Sequence, residues 1–117
     1  MSQLPAVTPT VGRIVHYTLS EADAAAINVR RADFRAFGQS HAHPHEPGQP
    51  GATGHIGHVG NHASEGDICA ATVVRPFGTG SAANLQVHLD GNDTYWATSR
   101  CEAIESTPGS WCWPPRV

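Results

Sequence analysis

Between Gly38 and Gly66 the chain carries seven of its twelve glycines (38, 48, 51, 54, 57, 60 and 66), three of its nine prolines and six of its eight histidines. Glycine raises the entropy cost of order and proline removes amide donors, so neither a long helix nor a central strand is expected there. A chain of 117 residues supports one core. That core must therefore be built by the residues before and after a long His/Gly/Pro-rich loop, 38–66.

Residues 1–10, with Pro5 and Pro9, read as an extended arm. Arg13 to Thr18 is β-branched and aromatic, which predicts a strand. Ser20-x-x-Asp23 then has the form of a capping box, and a helix is expected from Glu21 to Ala32. Its predicted buried stripe is Ala22, Ala25, Ala26 and Val29, with Arg30 and Arg31 near the negative C-terminal end. Ile68 to Phe77 suits a central strand that Pro76 ends. Gly78, Gly80 and Ser81 make a turn.

From Asn84 to Asp90 the chain alternates strictly, which puts Leu85, Val87 and Leu89 on a buried face and Gln86 and His88 on the other. A two-residue Gly91-Asn92 turn would pair Asp90 with Asp93, Leu89 with Thr94, His88 with Tyr95, Val87 with Trp96 and Gln86 with Ala97. Trp96 then enters the core and Tyr95 the open face. A last strand is predicted near Trp111 to Trp113, with both indoles on one side, and residues 114–117 form an extended tail. The expected fold is α+β: a small bent antiparallel sheet or partly open β-barrel of four to five strands, one short N-terminal helix and the long loop.

The blocks VGRIVHYTLSEADAAAINVRR (11–31), HVGNHASEGDICAATVVR (58–75), residues 84–99 with LDGND and WATS, and WCWPPRV (111–117) occur in an order that resembles a family of small uncharacterised proteins of tailed bacteriophages. The resemblance fails over about 36–54, which leaves His41 to His55 largely outside the shared blocks. It implies a phage protein, in the host cytoplasm or in the virion. It carries no catalytic residue onto this chain.

Composition narrows the partners. A net charge of −3 argues against nonspecific nucleic-acid binding, which needs a broad basic field. All seven basic residues are arginine, whose planar guanidinium suits bidentate anion recognition, although a GC-rich genome produces the same bias. Cys69, Cys101 and Cys112 have no C-x-x-C spacing, and an odd count leaves at least one free thiol, which fits a reducing compartment. No apolar run reaches the roughly 20 residues of a membrane span, and no signal peptide is expected.

Three constellations could carry function. His41, His43 and His45 alternate, and His55, His58 and His62 are spaced for a helical face. Imidazoles suit zinc or another transition metal, but Pro44 and the glycines deny them a scaffold, so the favoured reading is a solvated loop without cofactor. Asp90-Gly91-Asn92-Asp93 lacks the spacing of a calcium loop and reads as a turn. Tyr17 and Tyr95 offer stacking faces, while Arg75, Tyr95, Arg100 and Arg116 form the candidate site for a small anionic ligand.

No G-x-S-x-G, H-E-x-x-H or P-loop occurs, and His16 and His88 are single strand histidines, so no enzyme is expected. The leading expectation is a non-enzymatic, homo-oligomeric accessory binding protein that sequesters a nucleotide-like host defence signal in a pocket shared between subunits. The alternatives are a capsid decoration protein and a metal-binding protein.

Overall fold

The computed structural model describes residues 8–40, 60–78 and 80–115, and gives only the backbone path of 34–40. Its elements run β1 (Ile14–Thr18), α1 (Glu21–Ser40), β2 (Ile68–Pro76), β3 (Ala83–His88), β4 (Thr94–Arg100) and β5 (Trp111–Cys112). The strands form one open antiparallel sheet in the order β4-β3-β2-β1-β5, so the fold is α+β. Of the two expected forms, the sheet rather than the barrel is realised.

α1 begins where the capping box placed it: the Asp23 N–H donates to Ser20 Oγ at 3.0 Å, and the Ser20 N–H donates to Asp23 Oδ2 at 3.0 Å. Its end lies beyond the expected Ala32. The helix passes Ala32 and Gly38 to Ser40, so Arg30 and Arg31 sit mid-helix rather than at its negative end. Residues 38–40 of the expected loop therefore close α1, and residues 60–67 form turns without a strand. The arm up to residue 7, the loop over 41–59 and the tail beyond Pro115 lie outside the described residues.

The face of the sheet that α1 covers follows the register. Val15, Ala71, Val87 and Tyr95 lie in one row, and Val73, Leu85 and Ala97 in the next. With Tyr17, Leu19, Ile27 and Trp111 the aliphatic members of these rows belong to the buried core, and Tyr95 packs against it. Each aliphatic side chain buried in this way contributes about 1.5–3 kcal/mol. Trp111 is fully buried and donates its Nε1 to the carbonyls of Ser81 and Arg100, and Trp113 meets it edge-on at 5.3 Å. Both indoles thus share one side, as alternation required.

The helix buries the face opposite to the one predicted. Ala22, Ala25, Ala26 and Val29 are exposed, whereas Asp23, Ala24, Ile27 and Arg31 are buried. Among the described side chains, Ile27 is the one large apolar residue on the inward face. Of the two buried charges on this face, Asp23 is answered by Tyr17, Tyr95 and Arg100 of the sheet.

The β3–β4 hairpin corrects the predicted register. Leu89 donates to the Asp93 carbonyl, leaving Asp90, Gly91 and Asn92 as a three-residue loop with Gly91 at φ +117°. His88 therefore pairs with Thr94, Val87 with Tyr95 and Gln86 with Trp96. One extra loop residue turns every β4 side chain to the other face. Trp96 is 45% exposed, and Tyr95 packs against the core.

Candidate functional site

Three segments, the cap of α1, β1 and β4, converge on the Asp23 carboxylate. The cap of α1 fixes its position at the positive helix end. Tyr17 of β1 donates its hydroxyl to Oδ2, Tyr95 of β4 donates to Oδ1 at 3.0 Å, and Arg100 Nη2 donates to Oδ1 at 3.0 Å. The carboxylate is almost fully enclosed. Burial alone would raise its pKa, but the hydrogen bonds from Tyr17, the Ser20 backbone and Tyr95 outweigh that effect and hold it below the ordinary value. The same geometry raises both phenols, through burial first and the neighbouring carboxylate second.

A bulge brings Arg100 into this cluster. From Tyr95 and Ala97, simple alternation would send Arg100 to the bare face. Instead Ala83 pairs with Arg100 and Leu85 with Ala97, so Asn84 opposes two residues, one of them Ser99 at φ +54°. The Asn84 side chain accepts from the Ser99 N–H at 2.8 Å and holds the irregularity. The extra residue re-aims Arg100 toward the helix. Its guanidinium lies 5.7 Å from the Tyr17 ring centroid.

Farther along α1, Arg30 pairs with Asp93 at 2.9 Å, donates to the Thr94 carbonyl at 3.2 Å and lies over the Tyr95 ring at 5.9 Å. Arg30 and Arg100 thus both reach Tyr95's surroundings. Among the described residues the buried Nε of each has no hydrogen-bond partner. On the adjacent flank, Arg31 Nη2 donates to the Asp90 carbonyl at 3.3 Å, and Asn61 Nδ2 donates to the Asp90 carboxylate. Asn28 exchanges bonds with the Ala63 backbone at 2.8 and 2.9 Å.

Of the four residues named from sequence, the fold joins Tyr95 and Arg100 through Asp23. Arg75 pairs with Asn84 on the bare face, with its guanidinium 5.8 Å from the Phe77 ring, so it lies across the sheet from Arg100. Arg116 lies outside the described residues, as do His41, His43, His45, His55 and His58. His62 is described and contacts Asn28 at 3.5 Å. Among the described residues no group of three or more metal-ligating side chains comes together.

The other candidate groups are placed apart. His16 pairs with Cys112 in register, and His88 shares a hydrogen bond of 2.8 Å with the Thr72 hydroxyl. All three cysteines are free. The Cys69 thiol is raised above its ordinary pKa by burial and then by the charges of Asp67 and Asp90, which disfavours its nucleophilic thiolate form. Sequence reasoning missed Asp23 and Arg30 as members of the cluster. The Ser20-x-x-Asp23 cap marked Asp23's position, but nothing local marked its partners on β1 and β4.

No protein-family model, curated protein or solved structure matches the chain. Among the described residues, no helix is long and apolar enough to cross a membrane.

Proposed function

We propose that this chain is a non-enzymatic phage accessory protein that binds a small, nucleotide-like anion, sequestering a host defence signal as a homo-oligomer. One observation carries the reading: Arg30 and Arg100 flank Tyr95 and keep buried N–H donors that no described residue accepts. Guanidinium donors beside an aromatic ring suit a phosphate attached to a base. Their carboxylate partners, Asp93 and Asp23, pre-orient the arginines and restrict entry to a ligand that offers its own strong acceptors.

Calorimetry of protein purified free of bound ligand, against linear and cyclic nucleotides, tests this reading. Arg30→Gln is expected to weaken binding roughly ten- to a hundredfold. If nothing binds below millimolar, the reading fails.

The second reading, a capsid decoration protein, is favoured by the bare sheet face, where Ile14, Val74 and Trp96 are exposed. Such apolar exposure is typical of a protein contact. Stoichiometric co-purification with phage heads would support that reading.

A further inference from the structure

Arg31 is only 6% exposed, yet among the described residues its one hydrogen bond is a 3.3 Å contact from Nη2 to a neutral carbonyl. Its Nε and Nη1 are buried without a partner among the described residues. The Asp90 carboxylate is engaged elsewhere, by the Asn61 amide. Gly60 packs against the same guanidinium so closely that an added Cβ would stand 2.7 Å from Nη2 and 2.0 Å from the Asp90 carbonyl oxygen. The chain can pass there only without a side chain.

Buried polar groups are almost always satisfied, and a buried charge without a counter-charge is more costly still. We infer that Arg31, with the backbone at Gly60 and Asp90 around it, is an anion site for a compact oxyanion, the phosphoryl or carboxylate group of a small ligand. The free donors are N–H groups on a permanent cation, so a cation or a neutral apolar group cannot complete them. An oxyanion presents several acceptor oxygens and supplies the missing charge. The site is separate from the Tyr95 cluster: Arg31 turns to Asp90 and Gly60, whereas Arg30 turns to Asp93 and Tyr95.

The test uses the full chain labelled with 15N-arginine, with the Arg31 Nε–H signal assigned by its loss in Arg31→Lys. Inorganic phosphate, acetate and chloride are titrated at constant ionic strength. A saturable shift of the Arg31 signal with phosphate or acetate, absent with chloride, is expected; the tighter of the two identifies a phosphoryl or a carboxylate source. Arg31→Gln should weaken the oxyanion-dependent rise in Tm roughly ten- to a hundredfold in concentration. If that variant does not fold, the native Arg31 signal still decides. An Arg31 signal unmoved by millimolar phosphate and acetate, or moved equally by chloride, overturns the site. A shift at Arg100 alone, with Arg31 silent, would also overturn it while leaving the reading at Tyr95 intact.

Discussion

Two charges on one helix, Asp23 and Arg31, are both buried but are treated in opposite ways. Asp23 receives hydroxyls from Tyr17 and Tyr95, a guanidinium from Arg100 and a backbone N–H from its own cap. Among the described residues Arg31 donates to one carbonyl. A fully answered charge ties elements together, and here it joins α1 to β1 and β4. An unanswered one contributes little to folding and is retained for another reason.

Breaking the answered charge should have the largest effect. Asp23→Asn leaves Arg100 without its counter-charge and disturbs the phenol donors, so a loss of about 3–5 kcal/mol is expected in denaturant unfolding. The pH dependence has a definite sign. Asp23's pKa is depressed below its ordinary 3.8, so its contribution is present above that pH and is lost as pH falls through the folded value. Tyr17 and Tyr95 are raised above 10.0, so theirs is complete below pH 10.0 and lost as pH rises through the folded values. In Asp23→Asn the acid-side loss should shrink. An unchanged acid transition would show that the carboxylate is not a stabilising hub.

Gly60→Ala sharpens the other half of the comparison. The new methyl must displace the Asp90 carbonyl or the Arg31 guanidinium, and overpacking of this kind costs about 1–3 kcal/mol. A wild-type midpoint would mean that the backbone at Gly60 does not hold Arg31 in place.

Smaller again is Trp96→Ala. At 45% exposure the indole should contribute about 1 kcal/mol, well short of the 3–5 kcal/mol of a core tryptophan. A core-sized loss would restore the two-residue turn and put Tyr95 on the bare face, away from Asp23.

That register marks the boundary of what the sequence disclosed. β2 and β3 were legible because β-branched density and strict alternation are local signals, and the cap of α1 was legible because both of its partners lie within four residues. The hairpin loop was not. Asp90-Gly91-Asn92 supports a two- or a three-residue turn on its own chemistry, and the choice falls with contacts from Arg30, Arg31 and Asn61, which come from distant segments. The inward face of α1 was hidden for a related reason: alanines give a weak apolar stripe, and tertiary partners reversed it. Arg100 was named from sequence as a ligand residue, but alternation could not show that a bulge would carry it to Asp23.

The smallest effect on stability is expected at Arg31 itself. In oxyanion-free buffer, Arg31→Met replaces a poorly bonded buried charge by an apolar chain of similar length. Exchanges of this type are often neutral or stabilising, so the unfolding free energy should change by no more than about 1 kcal/mol. The contrast with Asp23→Asn would then be several-fold on the same helix, which separates a charge kept for the fold from one kept for a ligand. Adding phosphate should stabilise the native chain and leave Arg31→Met unmoved, because only a ligand that binds the folded state raises its stability. A loss above about 2 kcal/mol for Arg31→Met without oxyanion would erase the contrast, since a guanidinium that stabilises unliganded protein already has its partner.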